Sequence, residues 1–150
     1  MDTITEFQGE YRWLSNFWLS AVSLDGVQYP SVENAYQAAK TYPEHRAPFE
    51  FCTPGAAKRA GKKVPMRPEW ENEKVAVMRD LLAKKFRAGS LLAAKLLDTG
   101  DAHIEEGNSW GDRFWGVCGG SGSNTLGKLI MERRHSLVVA RELAKPAAPR

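Results

Sequence analysis

The residues best suited to chemistry lie in two stretches, a predicted helix after Pro30 and a tryptophan-rich loop near Glu105. Glu33, Gln37 and Lys40 follow an i, i+4, i+7 spacing, so a helix places them along one face. A carboxylate, an amide and an amine in one line could position a substrate, move a proton or hold a phosphate. The alternative is a solvated helix face on which the dipole favours Glu33, and the spacing alone favours that alternative.

The second stretch, residues 105–128, combines aromatic rings, an acid and permissive backbone ahead of a predicted helix. Its candidate residues are Trp110, Asp112, Trp115, Gly116 and Asn124. Aromatic rings stack on bases, glycine lets the backbone approach closely, and the first N–H groups of a helix accept an anion. This combination is typical of a pocket for a flat, phosphorylated ligand. A tight loop whose tryptophans fill the core beneath it is the alternative.

Composition and charge restrict the class of protein. The 150 residues are 43% hydrophobic and 26% charged, which suits one globular domain with a proper core. A net charge of +3 fits a phosphorylated small molecule or an occasional nucleic-acid substrate, but not a dedicated DNA binder. The cysteines and histidines form no metal or disulfide pattern, and no signal peptide or membrane-length apolar run occurs. We therefore predict a soluble, cytoplasmic protein with no metal, no cofactor and no membrane partner.

Capping and turn signals predict the elements that position these residues. Residues 1–29 are predicted to be β-rich, with a hairpin around Asp25-Gly26, and Ser31 is the predicted N-cap of the Glu33 helix. Further helices are predicted to begin at Thr53-Pro54, Pro68, Ser90 and Thr125. The sequence thus predicts an α+β fold, a mainly helical single domain over residues 1–144 with a small β-rich N-terminal part. Residues 145–150 are expected to form a flexible tail.

Two polar groups admit more than one explanation. Asn16 interrupts an aromatic segment and could present its amide to a ligand, although a plain turn is the commoner explanation. The basic cluster, which consists of Lys58, Arg59, Lys62 and Lys63, could face a phosphate. A solvated helix end is the safer interpretation of such a cluster.

A phosphate-binding P-loop is rejected. Residues 122–128 (GSNTLGK) match its first seven positions, but Leu129 stands where Ser or Thr should hold magnesium. The residues before the match are glycine-rich and polar rather than strand-like. Leu126 and Gly127 also look like part of the following helix.

The order of the segments resembles the NADAR (NAD and ADP-ribose associated) superfamily, which includes the YbiA-like N-glycosidases. The segments that carry the resemblance are FQGEYRWLSNF, LDGVQYPSVENAYQAAK, WENEKVAVMRDLLAKKF, EEGNSWGDRFWG and SNTLGKLIMERR, within residues 7–137. The most specific parts are the helix motif YPSVE-xx-YQ-xx-K and the loop motif N-x-W-x-D-xx-WG. The resemblance therefore covers nearly the whole chain.

The resemblance implies a small α+β domain that cleaves N-glycosidic bonds. YbiA-like members are linked to phosphorylated intermediates of riboflavin synthesis, and other members remove ADP-ribose from guanine in nucleic acid. The expected substrate is a phosphorylated ribosyl small molecule or an ADP-ribosylated nucleic acid. Catalytic roles are implied for Glu33, Lys40 and Asp112. Substrate-binding roles are predicted for Asn16, Gln37, Trp70, Trp110, Trp115, Gly116 and Asn124. The chain departs from the family pattern at Asn34, where many relatives have histidine, and at Arg133, where the position is often aliphatic.

The chemistry of ribosyl C–N cleavage explains why two acids are expected. The bond-breaking step builds positive charge on the sugar and negative charge on the departing nitrogen, and two carboxylates in different environments can divide these tasks. We expect Glu33 and Asp112 to form this pair, with Glu33 facing the loop between Trp110 and Trp115. Lys40 either holds phosphate as an ammonium or, deprotonated by burial, attacks an opened sugar as a Schiff-base nucleophile.

Two other classes of function stay open. The chain could be a binding module that holds NAD or ADP-ribose without cleaving it. It could instead be a nucleic-acid interaction protein, which its mild charge disfavours.

Overall fold

The computed structural model describes residues 3–147, which form two compact units. One unit consists of residues 7–85, and the other consists of residues 86–147 together with residues 3–6. The predicted class, mainly helical α+β, is confirmed, because the described residues form five α-helices and four short strands. The predicted domain limits of 1–144 and the tail from 145 stay a prediction, and residues 148–150 lie outside the described part.

The unit of residues 7–85 begins with a 3-10 helix, Gly9–Leu14, and an antiparallel hairpin of β1 (Val22–Leu24) and β2 (Val27–Tyr29). Asp25 and Gly26 make the turn at φ values of 50° and 80°, as a two-residue hairpin loop requires. The predicted hairpin is confirmed. Residues 9–14 are helical rather than extended, because this turn buries the adjacent Trp13 and Leu14 together, whereas a strand would point them to opposite faces.

Three α-helices complete this unit: α1 (Val32–Lys40), α2 (Pro54–Ala60) and α3 (Trp70–Lys85). Two 3-10 helices, Pro43–His45 and Ala47–Glu50, connect α1 to α2. The predicted N-caps are confirmed, since the side chains of Ser31 and Thr53 each accept a hydrogen bond from a backbone N–H in the first turn. The helix α1 contacts α2, α3 and both strands. It is therefore a core helix, and seven of its nine residues are buried.

The second unit contains α4 (Leu91–Asp98), β3 (Gly107–Asn108), β4 (Val117–Cys118) and α5 (Thr125–Leu143). The helices α4 and α5 pack together, and β3 pairs with β4 in parallel. This pairing joins the two ends of the tryptophan loop. The predicted starts at Ser90 and Thr125 are confirmed. Within residues 3–147, none of the helices has the length and apolar character of a membrane span.

Candidate active site

The side chain of Asn34 fixes the rotation of α1. Its Nδ2 donates to the carbonyl oxygens of Phe49 and Cys52, both at 2.9 Å, and its Oδ1 accepts from the Ser31 hydroxyl at 2.6 Å. Asn34 is fully buried, so these bonds satisfy its amide away from water. The departure from the family pattern at this position is thus a structural anchor, which sets the direction of the face that carries Glu33.

The face of α1 that carries Glu33 and Gln37 is buried. The two side chains are 8% and 6% exposed, and Gln37 Nε2 donates to Glu33 Oε1 at 2.9 Å. The backbone N–H of Glu33 donates to the Asn16 carbonyl at 3.1 Å. Burial of a carboxylate is costly unless it is hydrogen-bonded. The interpretation of this face as solvated, which the spacing alone favoured, is therefore wrong for Glu33 and Gln37.

Lys40 is the third residue of this face and lies half-buried at the end of α1. Burial lowers the pKa of its amine; the negative charge of Glu33 opposes this shift, and the positive charge of Lys62 adds to it. A lysine with a lowered pKa keeps a larger fraction of neutral amine near pH 7, and the neutral amine is the nucleophilic form.

Two buried side-chain oxygens in this unit are unsatisfied. Asn16 Oδ1 and Gln37 Oε1 have no hydrogen-bond partner among the described residues. The Asn16 amide nitrogen makes only a weak contact of 3.6 Å with Met78 Sδ. Since buried polar atoms in native proteins are nearly always paired, these oxygens are suited to a ligand that brings hydrogen-bond donors. The predicted ligand contacts of Asn16 and Gln37 stay predictions that this observation supports.

Lys85, for which no role was predicted, is a buried lysine in the same unit as Glu33. Lys85 is 3% exposed, and its Nζ donates to the Ser15 carbonyl at 2.7 Å. Burial lowers the pKa of Lys85 to about 7. In the sequence, Lys85 follows Leu81 and Leu82 by four and three residues, which places it on the apolar side of α3. Lys85 thus holds Ser15 in place. The carbonyl of the next residue, Asn16, accepts the hydrogen bond from Glu33 at the start of α1.

Trp70 belongs to the core of its unit. The ring is 2% exposed and lies 5.1 Å from the Tyr36 ring, with the Arg67 guanidinium 5.7 Å from its centroid. A ring enclosed in this way presents no open face to a base. The predicted stacking role of Trp70 stays a prediction and would require the ring to become exposed.

The carboxylate of Asp112 organises the tryptophan loop. Its Oδ1 accepts hydrogen bonds from the backbone N–H groups of Phe114 at 3.1 Å and Trp115 at 2.9 Å. The Asn108 side chain holds Asp112 from the other side, since it accepts from the Asp112 N–H at 3.1 Å and donates to its carbonyl at 2.9 Å. Asp112 therefore has a structural role in the loop, and its predicted catalytic role stays a prediction.

The two tryptophans of this loop differ in exposure. Trp110 is 57% exposed. Trp115 is half-buried and packs edge-on against Phe114, with the ring centroids 4.9 Å apart. Of the two, Trp110 presents more surface for stacking. Gly116 is buried, and a Cβ there would overlap Glu106 and the Asn108 amide, so only glycine fits at this position.

Three backbone N–H groups at the start of α5 already have hydrogen-bond partners within the protein. The backbone N–H groups of Asn124, Thr125 and Leu126 donate to the carbonyls of the loop, Gly116, Phe114 and Trp115 respectively, at 3.2, 3.1 and 2.9 Å. The expectation that this helix N-terminus holds phosphate stays a prediction, and these bonds count against it. Leu126 and Gly127 lie inside α5, in agreement with the rejection of a P-loop.

Asn124 itself has a structural role. It adopts φ 53°, its Oδ1 accepts from the Glu106 N–H at 3.0 Å, and its Nδ2 donates to the Ile104 carbonyl at 2.9 Å. Both polar groups of the amide are thus bonded inside the unit. The predicted substrate contact of Asn124 stays a prediction.

The remaining polar candidates need no ligand to explain them. Arg133, the second departure from the family pattern, donates two hydrogen bonds to the Phe86 carbonyl at 3.1 and 3.0 Å. In the basic cluster, Lys58 lies 5.9 Å from the Phe17 ring centroid, while Arg59, Lys62 and Lys63 are exposed. Among residues 3–147, no three His, Cys, Asp or Glu side chains are grouped so that they could hold a metal ion.

The two acids lie in different units, Glu33 in residues 7–85 and Asp112 in the other. Their expected pairing and the expected direction of Glu33 toward the tryptophan loop stay predictions. The polar face of α1, formed by Glu33, Gln37 and Lys40, is the best-supported candidate site, because its carboxylate and amide are buried and hydrogen-bonded to each other.

Comparison with known proteins shows matches over most of the chain. The family model of the NADAR domain matches residues 5–138. N-glycosidase YbiA of Escherichia coli (strain K12) is 36% identical over 146 residues, which cover 92% of this chain and 91% of that protein. The NMR structure of the E. coli protein YbiA has a TM-score of 0.83 at 34% identity and covers 98% of this chain and 91% of that one.

Two further relatives carry other names. An N-glycosidase of Nostoc punctiforme is 32% identical over 136 residues, which cover 85% of this chain and 86% of that protein. A riboflavin biosynthesis protein of Vibrio vulnificus is 34% identical over 133 residues. That match covers 85% of this chain but 36% of the relative, so the similarity is to one part of a longer protein.

Proposed function

The chain belongs to the NADAR domain family, and on that basis we propose that it is an enzyme that hydrolyses ribosyl N-glycosidic bonds. Relatives that match this chain over most of their length are named N-glycosidases. The observation that carries the proposal is the buried hydrogen bond between Glu33 and Gln37, with Lys40 on the same face of α1.

The carboxylate of Glu33 has the properties that the bond-breaking step needs. A sugar that loses its base develops positive charge at C1, and a nearby carboxylate stabilises that charge. The Gln37 amide keeps the Glu33 carboxylate in one orientation before the substrate binds, which is the kind of preorganisation that makes electrostatic stabilisation effective. In this proposal Asp112 supplies the second carboxylate, which assists the leaving base or activates water.

Lys40 can act in two ways. As an ammonium it would bind the phosphate of the substrate. As an amine it would add to C1 of the ribose, the bond from C1 to the base nitrogen would break as that nitrogen takes a proton, and ring opening would leave an imine. Water would then hydrolyse the imine to release the sugar and restore the lysine. The lowered pKa of Lys40 supports the second route.

For the substrate, we propose a phosphorylated ribosyl compound of the kind made in riboflavin synthesis, or an ADP-ribosylated guanine. The name of the Vibrio vulnificus relative supports the first. In either case the unsatisfied oxygens of Asn16 and Gln37 would accept hydrogen bonds from donors on the substrate, such as ribose hydroxyls.

A substrate panel tests the proposal. The protein is incubated with phosphorylated riboflavin precursors and with ADP-ribosylated guanine in nucleic acid, and the released base and sugar phosphate are separated by chromatography. We expect release from one class, unchanged by a chelator, because carboxylates and a lysine suffice for the reaction. Tight binding without release would favour the alternative, a non-catalytic module that holds NAD or ADP-ribose. Activity that a chelator abolished and a divalent ion restored would contradict the metal-free mechanism.

A further inference from the structure

Gly61 occupies a position whose backbone does not require glycine. It ends α2 with φ −60° and ψ −20°, which are ordinary right-handed helical values. Any residue adopts such values, and alanine is usually more stable than glycine there because it loses less conformational entropy on folding. The reason for a glycine must therefore be the space around it.

That space is filled by the amide of Gln37. A Cβ on Gly61 would overlap Gln37 Oε1 and would lie 2.6 Å from Gln37 Cδ and 3.2 Å from the Ala57 carbonyl. Gly61 is itself buried, and no described residue donates a hydrogen bond to Gln37 Oε1. The end of α2 thus lies directly against one side of this amide.

The other side of the same amide holds Glu33. Gln37 Nε2 donates to Glu33 Oε1 at 2.9 Å. Because an amide group is planar and rigid, a push on Oε1 also moves Nε2. A change at Gly61 is therefore expected to be transmitted to the Glu33 carboxylate.

We propose that Gly61 is a positioning residue for Glu33 that acts through Gln37. The missing Cβ lets the end of α2 lie against the Gln37 amide and keep it in line with the Glu33 carboxylate. The expected effect of Gly61 on turnover rests on the proposed function. The contact between Gly61 and Gln37 does not, because both residues lie within residues 7–85. The nearby Lys62, whose charge acts on Lys40, is consistent with the end of α2 lying beside this face of α1.

The chain offers a matched control in the same helix. Gly55 lies in the first turn of α2, and a Cβ there would meet only Arg59 Nη1 at 3.5 Å, an ordinary contact with a flexible side chain. Gly55→Ala should therefore leave turnover unchanged. Gly61→Ala should lower kcat about tenfold or more with a smaller change in KM, since small displacements of catalytic groups are costly.

A double-mutant cycle separates positioning from a general structural effect. In a Gln37→Ala background the Cβ of alanine at position 61 has no amide to displace, so Gly61→Ala should cause little further loss of kcat or of thermal stability. A single Gly61→Ala variant that folds poorly and recovers its melting temperature in the Gln37→Ala background would also support the contact. Equal losses in both backgrounds, or full turnover of the single variant, would overturn the proposal.

A readout without substrate keeps this inference separate from the proposed function. The side-chain amide of Gln37 gives its own NMR signals, which should exchange slowly with solvent in the wild-type protein. Gly61→Ala should shift these signals and speed their exchange, and Gly55→Ala should not. If no substrate of the panel is cleaved, the proposed function fails while this measurement still decides the inference. Unchanged Gln37 signals in Gly61→Ala would overturn it.

Discussion

Gln37 donates a 2.9 Å hydrogen bond from Nε2 to Oε1 of Glu33, one turn earlier on α1. Both side chains are more than nine-tenths buried. A buried carboxylate that is held by an amide is a costly arrangement for a helix that serves only to pack. The relationship therefore distinguishes this face of α1 from the solvated polar faces that the same residue spacing usually produces.

Asp112 allows its structural and chemical roles to be separated. Asp112→Asn keeps an oxygen that can accept the N–H groups of Phe114 and Trp115, so the free energy of unfolding should change by less than about 0.5 kcal/mol. If the charge takes part in bond breaking, turnover should fall about 10²-fold.

Asp112→Ala provides the comparison, since it removes both hydrogen bonds and should cost about 1 kcal/mol or more of stability. Denaturant unfolding and steady-state kinetics measure the two effects. Normal turnover in Asp112→Asn, together with a destabilised Asp112→Ala, would leave Asp112 with the structural role alone.

The role of Lys40 can be determined from the pH profile. If Lys40 attacks as an amine, turnover should rise with pH as the lysine loses its proton, and a hydride reagent should trap a substrate adduct on it. If it holds phosphate as an ammonium, activity should instead fall as pH rises through the same pKa. The turnover of the wild-type enzyme, measured as a function of pH, shows which of these two directions applies.

Lys62→Gln then tests whether this pH dependence of turnover comes from the titration of Lys40. The positive charge of Lys62 lowers the pKa of Lys40. Removal of that charge should therefore move the change in turnover to higher pH. Lys63→Gln removes the charge of an exposed neighbour and serves as the control. If turnover changes at the same pH in Lys62→Gln as in the wild-type enzyme, another group controls the pH dependence.

Lys85 should make stability depend on pH. Its pKa of about 7 in the folded protein lies below the ordinary value of 10.5, so between these values the unfolded chain binds more protons. Stability then rises with pH in this window.

Lys85→Met keeps the length of the side chain and removes the titration. The free energy of unfolding of the wild-type protein should therefore increase relative to Lys85→Met from pH 7 to pH 10 and stay parallel to it below about pH 6, because burial lowers the pKa of Lys85 to about 7. Urea unfolding of both proteins across this range measures the difference. A difference that stays constant from pH 7 to pH 10 would contradict the assignment.

Local signals predicted the helices well. Ser31 and Ser90 cap helices as expected, and α5 begins at the predicted Thr125. A cap depends on a side chain and a backbone N–H two or three residues apart, so it can be read from a short segment.

The environment of the site residues could not be predicted in the same way. The spacing of Glu33 and Gln37 shows that they share a face, but not that α2 and α3 pack around α1. Three N–H groups at the start of α5 donate to carbonyls of residues about ten positions earlier, which the sequence does not show. Gly61 has no motif of its own, since its function follows from a contact with a residue 24 positions away.

The proposed mechanism depends on the charge of Glu33. Glu33→Gln keeps the shape of the side chain and an oxygen that can accept from Gln37, so the fold should survive. If the carboxylate stabilises the developing sugar cation, turnover should fall about 10²-fold or more. Substrate affinity should change far less, because stacking and phosphate contacts belong to other residues.

The most direct measurement is the single-turnover rate at which wild-type protein and Glu33→Gln release the base from the same ribosyl N-glycoside. Glu71→Gln, which removes an exposed carboxylate paired with Lys74 on α3, is the control. We expect the wild-type protein and the control to release the base at the same rate, and Glu33→Gln to release it about 10²-fold more slowly. Equal rates in all three proteins would contradict the proposed mechanism.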